Sequence, residues 1–404
     1  MPKKIRLIHR NPISCSYLIF IQYTINSMRK LLFLVVLPVF LFSCANVKQS
    51  AEHSHVPKLK LLNTIEVPFD AQFQNTKIGG LSGIDYDPKK ELYYIISDDR
   101  SIFNEARYYT ATIALENNLL KNVTFQSMST LKNETGKVYG NWNTTPNTST
   151  DPEDIRFNPE TNTLVWSSEG ARVITADKEV LQNPALNFMT LKGDFLGDVT
   201  FPENLKMQKI EKGPRNNGTL EGITFDKNFK NIYTNIEEPL FEDGNQATTS
   251  KGGLIRLYQF NAKTGKNTAQ YGYLLDPIAR EPNPSGDFAV NGISAIQYYS
   301  KNKLLIVERS YSTGTQECSV KVFVCDLKKA TNVKNNTSLL NQNIQLGSKK
   351  LVLNMDDLGI FIDNIEGITF GPKLANGNRS LILVSDNNFA EKQKTQFFLF
   401  EVME

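Results

Sequence analysis

A short phrase returns five times along this 404-residue chain, and any fold has to accommodate that repeat. It reads Gly80-Leu81-Ser82-Gly83-Ile84-Asp85, then Asp151-Pro152-Glu153-Asp154-Ile155-Arg156-Phe157, Leu220-Glu221-Gly222-Ile223-Thr224-Phe225, Asn291-Gly292-Ile293-Ser294-Ala295 and Ile365-Glu366-Gly367-Ile368-Thr369-Phe370. A turn rich in Asp, Asn, Pro or Lys follows each phrase. An apolar run ending in polar or charged residues comes next, at 92–100, 163–169, 232–238, 303–309 and 380–387. Each unit therefore reads as a strand, a polar turn and a buried strand rich in β-branched and aromatic residues.

The phrases recur at intervals of about 70 residues, enough for four strands with generous loops, and repetition at that period points to radial stacking. The expected fold is all-β: a single β-propeller of about five four-stranded blades. A sixth blade fits if one long interval hides a unit without the phrase. Stretches 107–113, 123–127, 253–260 and 319–324 supply outer strands. A ring of sheets needs a device that covers its last edge. The first folded segment, 59–67, is expected to pair with the terminal run 396–402 and clasp the ring shut.

Met28-Arg29-Lys30, an apolar run from Leu31 to Phe42, and Leu41-Phe42-Ser43-Cys44 have the form of an export signal ending in a lipobox, with Met28 as the true start. The run is short for a membrane span, although an uncleaved anchor helix is the alternative. The expected organisation is a leader over 1–44 with lipidation at Cys44, a flexible polar tether over 45–57, and one propeller domain over 58–404. The mature protein is expected in the cell envelope, lipid-anchored and facing the periplasm from the outer membrane. A net charge of +3 gives no electrostatic case for nucleic acid, and a monomer is expected.

All three histidines, His9, His53 and His55, precede the propeller. Triads with an imidazole base, histidine nucleophiles and histidine-rich zinc sites are thereby excluded from the folded body. Cys318 and Cys325 flank an alternating run, and seven residues of extended strand would separate them by roughly 20 Å, too far for a disulfide. Two buried free thiols are expected.

Carboxylate, arginine, hydroxyl and amide chemistry remains. If the first strand of each repeat is innermost, the phrases line one end of the channel. Glu153, Asp154, Glu221 and Glu366 would then meet Asp98, Asp99, Glu169, Glu237, Glu238, Glu308 and Asp386 from the ends of the second runs. Converging carboxylates repel unless protons or a cation neutralise them, and hard oxygen-seeking cations such as calcium or magnesium suit them. These residues could equally be turn and cap residues. Arg100, Arg156, Arg172 and Arg309 follow the acids closely, as anion ligands or as internal salt bridges. The glycine of the phrase is read as permitting a tight entrance into the inner strand.

With these five phrases in order, the chain resembles the phytase-like family, described by esterase-like activity, from about Thr64 to the C-terminus. The resemblance implies hydrolysis of phosphate esters of small anionic substrates. The Arg-His-Gly signature of histidine acid phytases is missing, as is a run like Asp-Ala-Ala-Asp-Asp-Pro of the calcium-dependent propeller phytases. Those propeller phytases suggest a route without histidine, in which clustered calcium binds phosphate and activates water. On that reading Asp98, Asp99, Glu153, Asp154, Glu221 and Glu366 hold metal. Arg100, Arg156 and Arg309 bind the anion, and Glu221, Glu366 or Asp154 handles the proton. A calcium-dependent lactonase and a non-catalytic binding propeller are the two other readings.

Overall fold

The computed structural model describes residues 56–404. The leader, Cys44, most of the tether and all three histidines lie outside the described residues. Five four-stranded antiparallel sheets form the blades of a five-bladed propeller. Blade 1 runs Leu81–Asp87, Leu92–Ser97, Arg107–Glu116, Leu119–Thr130, and blade 2 runs Pro152–Asn158, Thr163–Ser168, Ala185–Met189, Phe195–Asp198. Blade 3 comprises Leu220–Phe225, Asn231–Ile236, Leu254–Asn261 and Asn267–Leu274. Blade 4 comprises Ala289–Ser300, Lys303–Ser312, Ser319–Asp326 and Ser348–Asn354. Blade 5 takes three strands from the end of the chain, Asn364–Lys373, Arg379–Asp386 and Thr395–Met403, and its fourth from the beginning, Lys58–Val67.

That fourth strand pairs antiparallel with the terminal one, from Lys58 opposite Met403 to Val67 opposite Thr395, so the expected clasp is present. Among the described residues, the sheets of the ring begin at Lys58. Among the described residues there are five blades and no sixth. The long repeat interval is spent on loops and on the ribbon Ala171–Ile174 with Glu179–Gln182 inside blade 2. No helix among the described residues is long and apolar enough to cross a membrane.

Neighbouring inner strands lie against one another around the axis. The second strands alternate between the two flanking blades because successive side chains point to opposite faces. In blade 1, Tyr93 and Ile95 pack with Ile382, Val384, Phe397 and Leu399 of blade 5, whereas Tyr94 and Ile96 pack with Ile155, Phe157 and Trp166 of blade 2. A sheet buried on both faces produces the near-continuous apolar runs seen in the sequence. The same alternation separates the two cysteines, which are free and buried. Cys318 lies in the core between blades 4 and 5, and Cys325 in the core between blades 3 and 4.

The repeated phrase is a bulge in the inner strand. Pairing with the second strand slips between Leu81 and Gly83, Pro152 and Ile155, Leu220 and Ile223, Ile293 and Ala295, and Ile365 and Gly367. The first residue passed over in the ladder is Ser82, Glu153, Glu221, Ser294 or Glu366, joined in blades 2 and 3 by Asp154 and Gly222, and a bulge re-aims the side chains it releases. The following glycine answers to the neighbouring blade. A Cβ on Gly222 would lie 2.5 Å from Ile296 N, and one on Gly83 would lie 2.5 Å from Asp154 Cα. Close approach of adjacent inner strands, rather than a tight entrance into the inner strand, requires glycine there.

Candidate active site

In an antiparallel hairpin the first strand starts where the second one ends. Leu81 pairs with Ser97, Pro152 with Ser168, Leu220 with Ile236 and Asn364 with Asp386. The bulged carboxylates and the acids that close the second strands therefore share one mouth of the channel. Two groups of three form there: Asp98, Asp151 and Glu153, and Glu169, Glu221 and Glu237. Within each group one oxygen per residue lies within 4.8 Å of the others. Glu366 and Asp386 of blade 5 adjoin them electrostatically.

Among the described residues, two guanidinium groups, those of Arg100 and Arg309, offset these eight carboxyl groups. Arg100 bonds to both oxygens of Asp151, reaches Asn217 Oδ1 at 3.2 Å, and lies 5.1 Å from the ring centre of Trp142. Arg309 donates to Glu237 Oε1 at 2.7 Å and stands 3.7 Å from Glu366 Oε1, while its Nε has no partner. Burial lowers the tendency of Arg100 to stay charged, but Asp151, Asp98 and Glu169 outweigh it and hold the cation firmly.

Burial, reinforced by like charge, pushes Asp98, Glu153, Glu169, Glu221 and Asp386 well above the carboxylate range. Glu366 is pushed up to about 7, with burial the largest cause and Arg309 opposing it. Asn364 Nδ2 donates to its Oε1 at 2.8 Å, and Oε2 is left buried without a partner. Asp386 Oδ2 is likewise buried and unpartnered. Crowded, all-oxygen, partly orphaned donors of this kind fit a hard divalent cation, which would restore ionisation and satisfy the free oxygens.

Of the residues expected to hold metal, Asp98, Glu153, Glu221 and Glu366 meet at this mouth and two do not. Asp99 accepts backbone N–H bonds from Ile102, Phe103 and Asn104 and pairs with buried Arg107 at 2.7 Å, so it organises a loop. Asp154 sits deeper, accepting from Ile155 N and Ile223 N at 2.8 Å and pairing with Arg156 at 2.9 Å. Burial lifts it to about 7 against the pull of Arg156, but the metal, catalytic and anion-binding roles expected of this pair do not suit where they lie. Arg156 donates to the carbonyls of Ile223 at 2.5 Å, Ile296 at 3.1 Å and Ile84, and so braces four inner strands across the bore. Glu308 turns away as well, toward Tyr273 Oη at 2.7 Å, Asp276 N and Lys349. Arg172 spends its guanidinium on the carbonyls of Gln208 and Lys209.

Asp151 belongs to the site although nothing beyond its place at the head of the phrase marked it. Glu169, Glu237 and Asp386 were legible as the acids closing second strands, and the hairpin register selects them.

The sequence model of the family Phytase-like, described as esterase-like activity of phytase, matches residues 76–389. No curated protein matches the chain. Among solved structures, the chain is similar to an endo-arabinase from Bacteroides thetaiotaomicron (12% identity, 84% of this chain and 97% of that one, TM-score 0.41). It is also similar to an alpha-L-arabinofuranosidase from Lactobacillus brevis (11%, 83% and 94%, 0.44). A third similar structure is the periplasmic gluconolactonase of Pseudomonas aeruginosa (10%, 81% and 86%, 0.35). At such identities and scores nothing about the site follows from these three.

Proposed function

The chain belongs to the Phytase-like family, and from that premise we propose that it hydrolyses phosphate esters of small anionic molecules at the carboxylate mouth of its propeller. The observation that carries this reading is the meeting of seven buried carboxyl groups and the half-buried Asp98 with Arg100 and Arg309, with Glu366 Oε2, Asp386 Oδ2 and Arg309 Nε left unpartnered. The two carboxylate trios would hold calcium or magnesium, which when bound supplies positive charge for the phosphoryl oxygens and a more acidic water.

The chain's own residues do the rest. Arg309, fixed by Glu237, keeps a buried Nε–H without a partner, and such a donor favours an anionic oxygen. Arg100 is held by Asp151 below and by the face of Trp142 beside it, so its guanidinium is already oriented before substrate arrives. Glu366 has the proton affinity of a base that works near neutrality, with Asn364 fixing Oε1 and leaving Oε2 to accept a proton from water. The basic stretch at Met28, the apolar run and Cys44 support export and a lipid anchor in the cell envelope, in the outer membrane facing the periplasm.

The test is phosphate release from phytate and from an aryl phosphate by residues 56–404, with calcium or with chelator. Calcium-dependent turnover lost in Glu221→Gln and Glu366→Gln is the expected result. Absence of turnover together with no rise in melting temperature on adding calcium refutes the reading. Turnover of a lactone instead would move the activity to the lactonase class.

A further inference from the structure

On the face of the propeller opposite the mouth, the sector formed by blades 3 and 4 is rich in lysine. First strands end, second strands begin, and third strands hand over to fourth strands at that far end. The connections there in blades 3 and 4 hold Lys227, Lys230, Lys263, Lys266, Lys301 and Lys329, all exposed. None of these six pairs with a carboxylate among the described residues. The two acids in the same turns are drawn inward. Asp226 accepts from Lys230 N at 2.8 Å and Asn231 Nδ2 at 2.7 Å, and Asp326 accepts from Lys328 N at 2.8 Å.

The chain also enters on this side. The clasp strand starts at Lys58 beside Met403, where the terminal strand ends. Val56 lines a groove of about 340 Å³ together with Lys303, Val324 and Lys350 of blade 4. Counting from Cys44, only twelve residues, 44–55, lead to Val56. Fully extended they reach at most about 40 Å.

We propose that this lysine-bearing sector of blades 3 and 4 docks on an anionic lipid surface, which turns the carboxylate mouth away from the bilayer. Charge complementarity supports that partner: clustered cations gain from the negative potential of an anionic leaflet within a Debye length of it. A tether entering beside the sector keeps it within reach of that surface. This inference does not depend on the hydrolytic activity.

The experiment is co-sedimentation of residues 56–404, whose ring is closed without the preceding segment, with vesicles of equimolar phosphatidylglycerol and phosphatidylcholine and with vesicles of phosphatidylcholine alone. Binding to the anionic vesicles only, weakening as salt rises, is expected. Replacing Lys227, Lys230, Lys263 and Lys329 by Gln together should weaken it at least about a hundredfold, since each lysine near such a surface contributes roughly fivefold. A control with the same charge change on the mouth side, Lys178, Lys209, Lys212 and Lys251 to Gln, should stay within about threefold of the parent. Failure to bind the anionic vesicles at low salt, equal binding to both vesicle types, or equal loss in the two variants would overturn the proposal.

Discussion

Raising the pH from 5 to 8 in chelator should destabilise the propeller, and Glu366→Gln should remove a measurable part of that loss. Glu366 has a usual pKa of 4.5 and is raised to about 7 in the fold, chiefly by burial. Below pH 4.5 both folded and unfolded chains hold the proton. Between 4.5 and 7 the unfolded chain releases it while the folded chain retains it, so stability falls as pH rises through that window. The difference amounts to about 3 kcal/mol at pH 8. Asp98, Glu153, Glu169, Glu221 and Asp386 are shifted in the same direction, so the wild-type slope is steeper than Glu366 alone provides. Gln keeps the acceptor for Asn364 Nδ2 and cannot ionise, so the variant should exceed the wild type by up to about 3 kcal/mol at pH 8 and match it near pH 4.5. Urea unfolding followed by the fluorescence of Trp142 and Trp166 at several pH values reads this directly. Calcium at a hundred times its dissociation constant should restore about 2.7 kcal/mol at pH 8. Parallel pH profiles for wild type and Glu366→Gln would refute the argument that burial holds a proton on Glu366.

Arg156→Met should destabilise by about 3 kcal/mol or more, since it strands the buried Asp154 carboxylate and the carbonyls of Ile84, Ile223 and Ile296; Arg156→Lys should recover little, because one ammonium cannot span them. The same urea titration measures both. Gly222→Ala should cost about 1–3 kcal/mol, because its methyl would lie 2.5 Å from Ile296 N in the next blade. Deleting 1–67 should yield aggregates by light scattering, whereas deleting 1–55 should leave a monodisperse propeller, because only the longer deletion bares the edge of Thr395–Met403.

Repetition made the fold legible. Five similar phrases announce five similar units, and the apolar runs that follow them announce sheets packed on both faces. The clasp was legible because two unpartnered strand patterns stood at opposite ends of the domain. The site was legible only as far as side chains obey the hairpin register. Asp98, Glu153, Glu221 and Glu366 obey it. Asp99 and Asp154 are adjacent in sequence to residues of the site, and one step along an extended chain turns a side chain to the opposite face, so they serve a loop and the bore. Glu308 misleads for a related reason. Its strand continues to Ser312, which leaves Glu308 within the sheet opposite Ile293 and facing blade 3. Nor could the sequence reveal that Arg156 reaches three other blades, because its partners are backbone carbonyls and carry no residue signature.

The five bulges explain how one mouth accommodates so many acids. The released position is Glu in blades 2, 3 and 5 and Ser in blades 1 and 4. Blades 1 and 4 are also the blades whose second strands lead into Arg100, together with Asp98, and Arg309, whereas the second strands of blades 2, 3 and 5 deliver Glu169, Glu237 and Asp386. Acid therefore stands beside acid within three blades, and a small hydroxyl stands beside a guanidinium within the other two. Ser294 spends its hydroxyl on Ile365 O at 2.7 Å and places no charge beside Arg309. Had those two bulges also carried Glu, Arg309 would face a carboxylate from its own blade and Arg100 a second one besides Asp98, and less of their charge would remain for an anion. The division between blades leaves the carboxylates under-neutralised and Arg309 incompletely paired in the same space, a combination suited to binding a cation and an anion side by side.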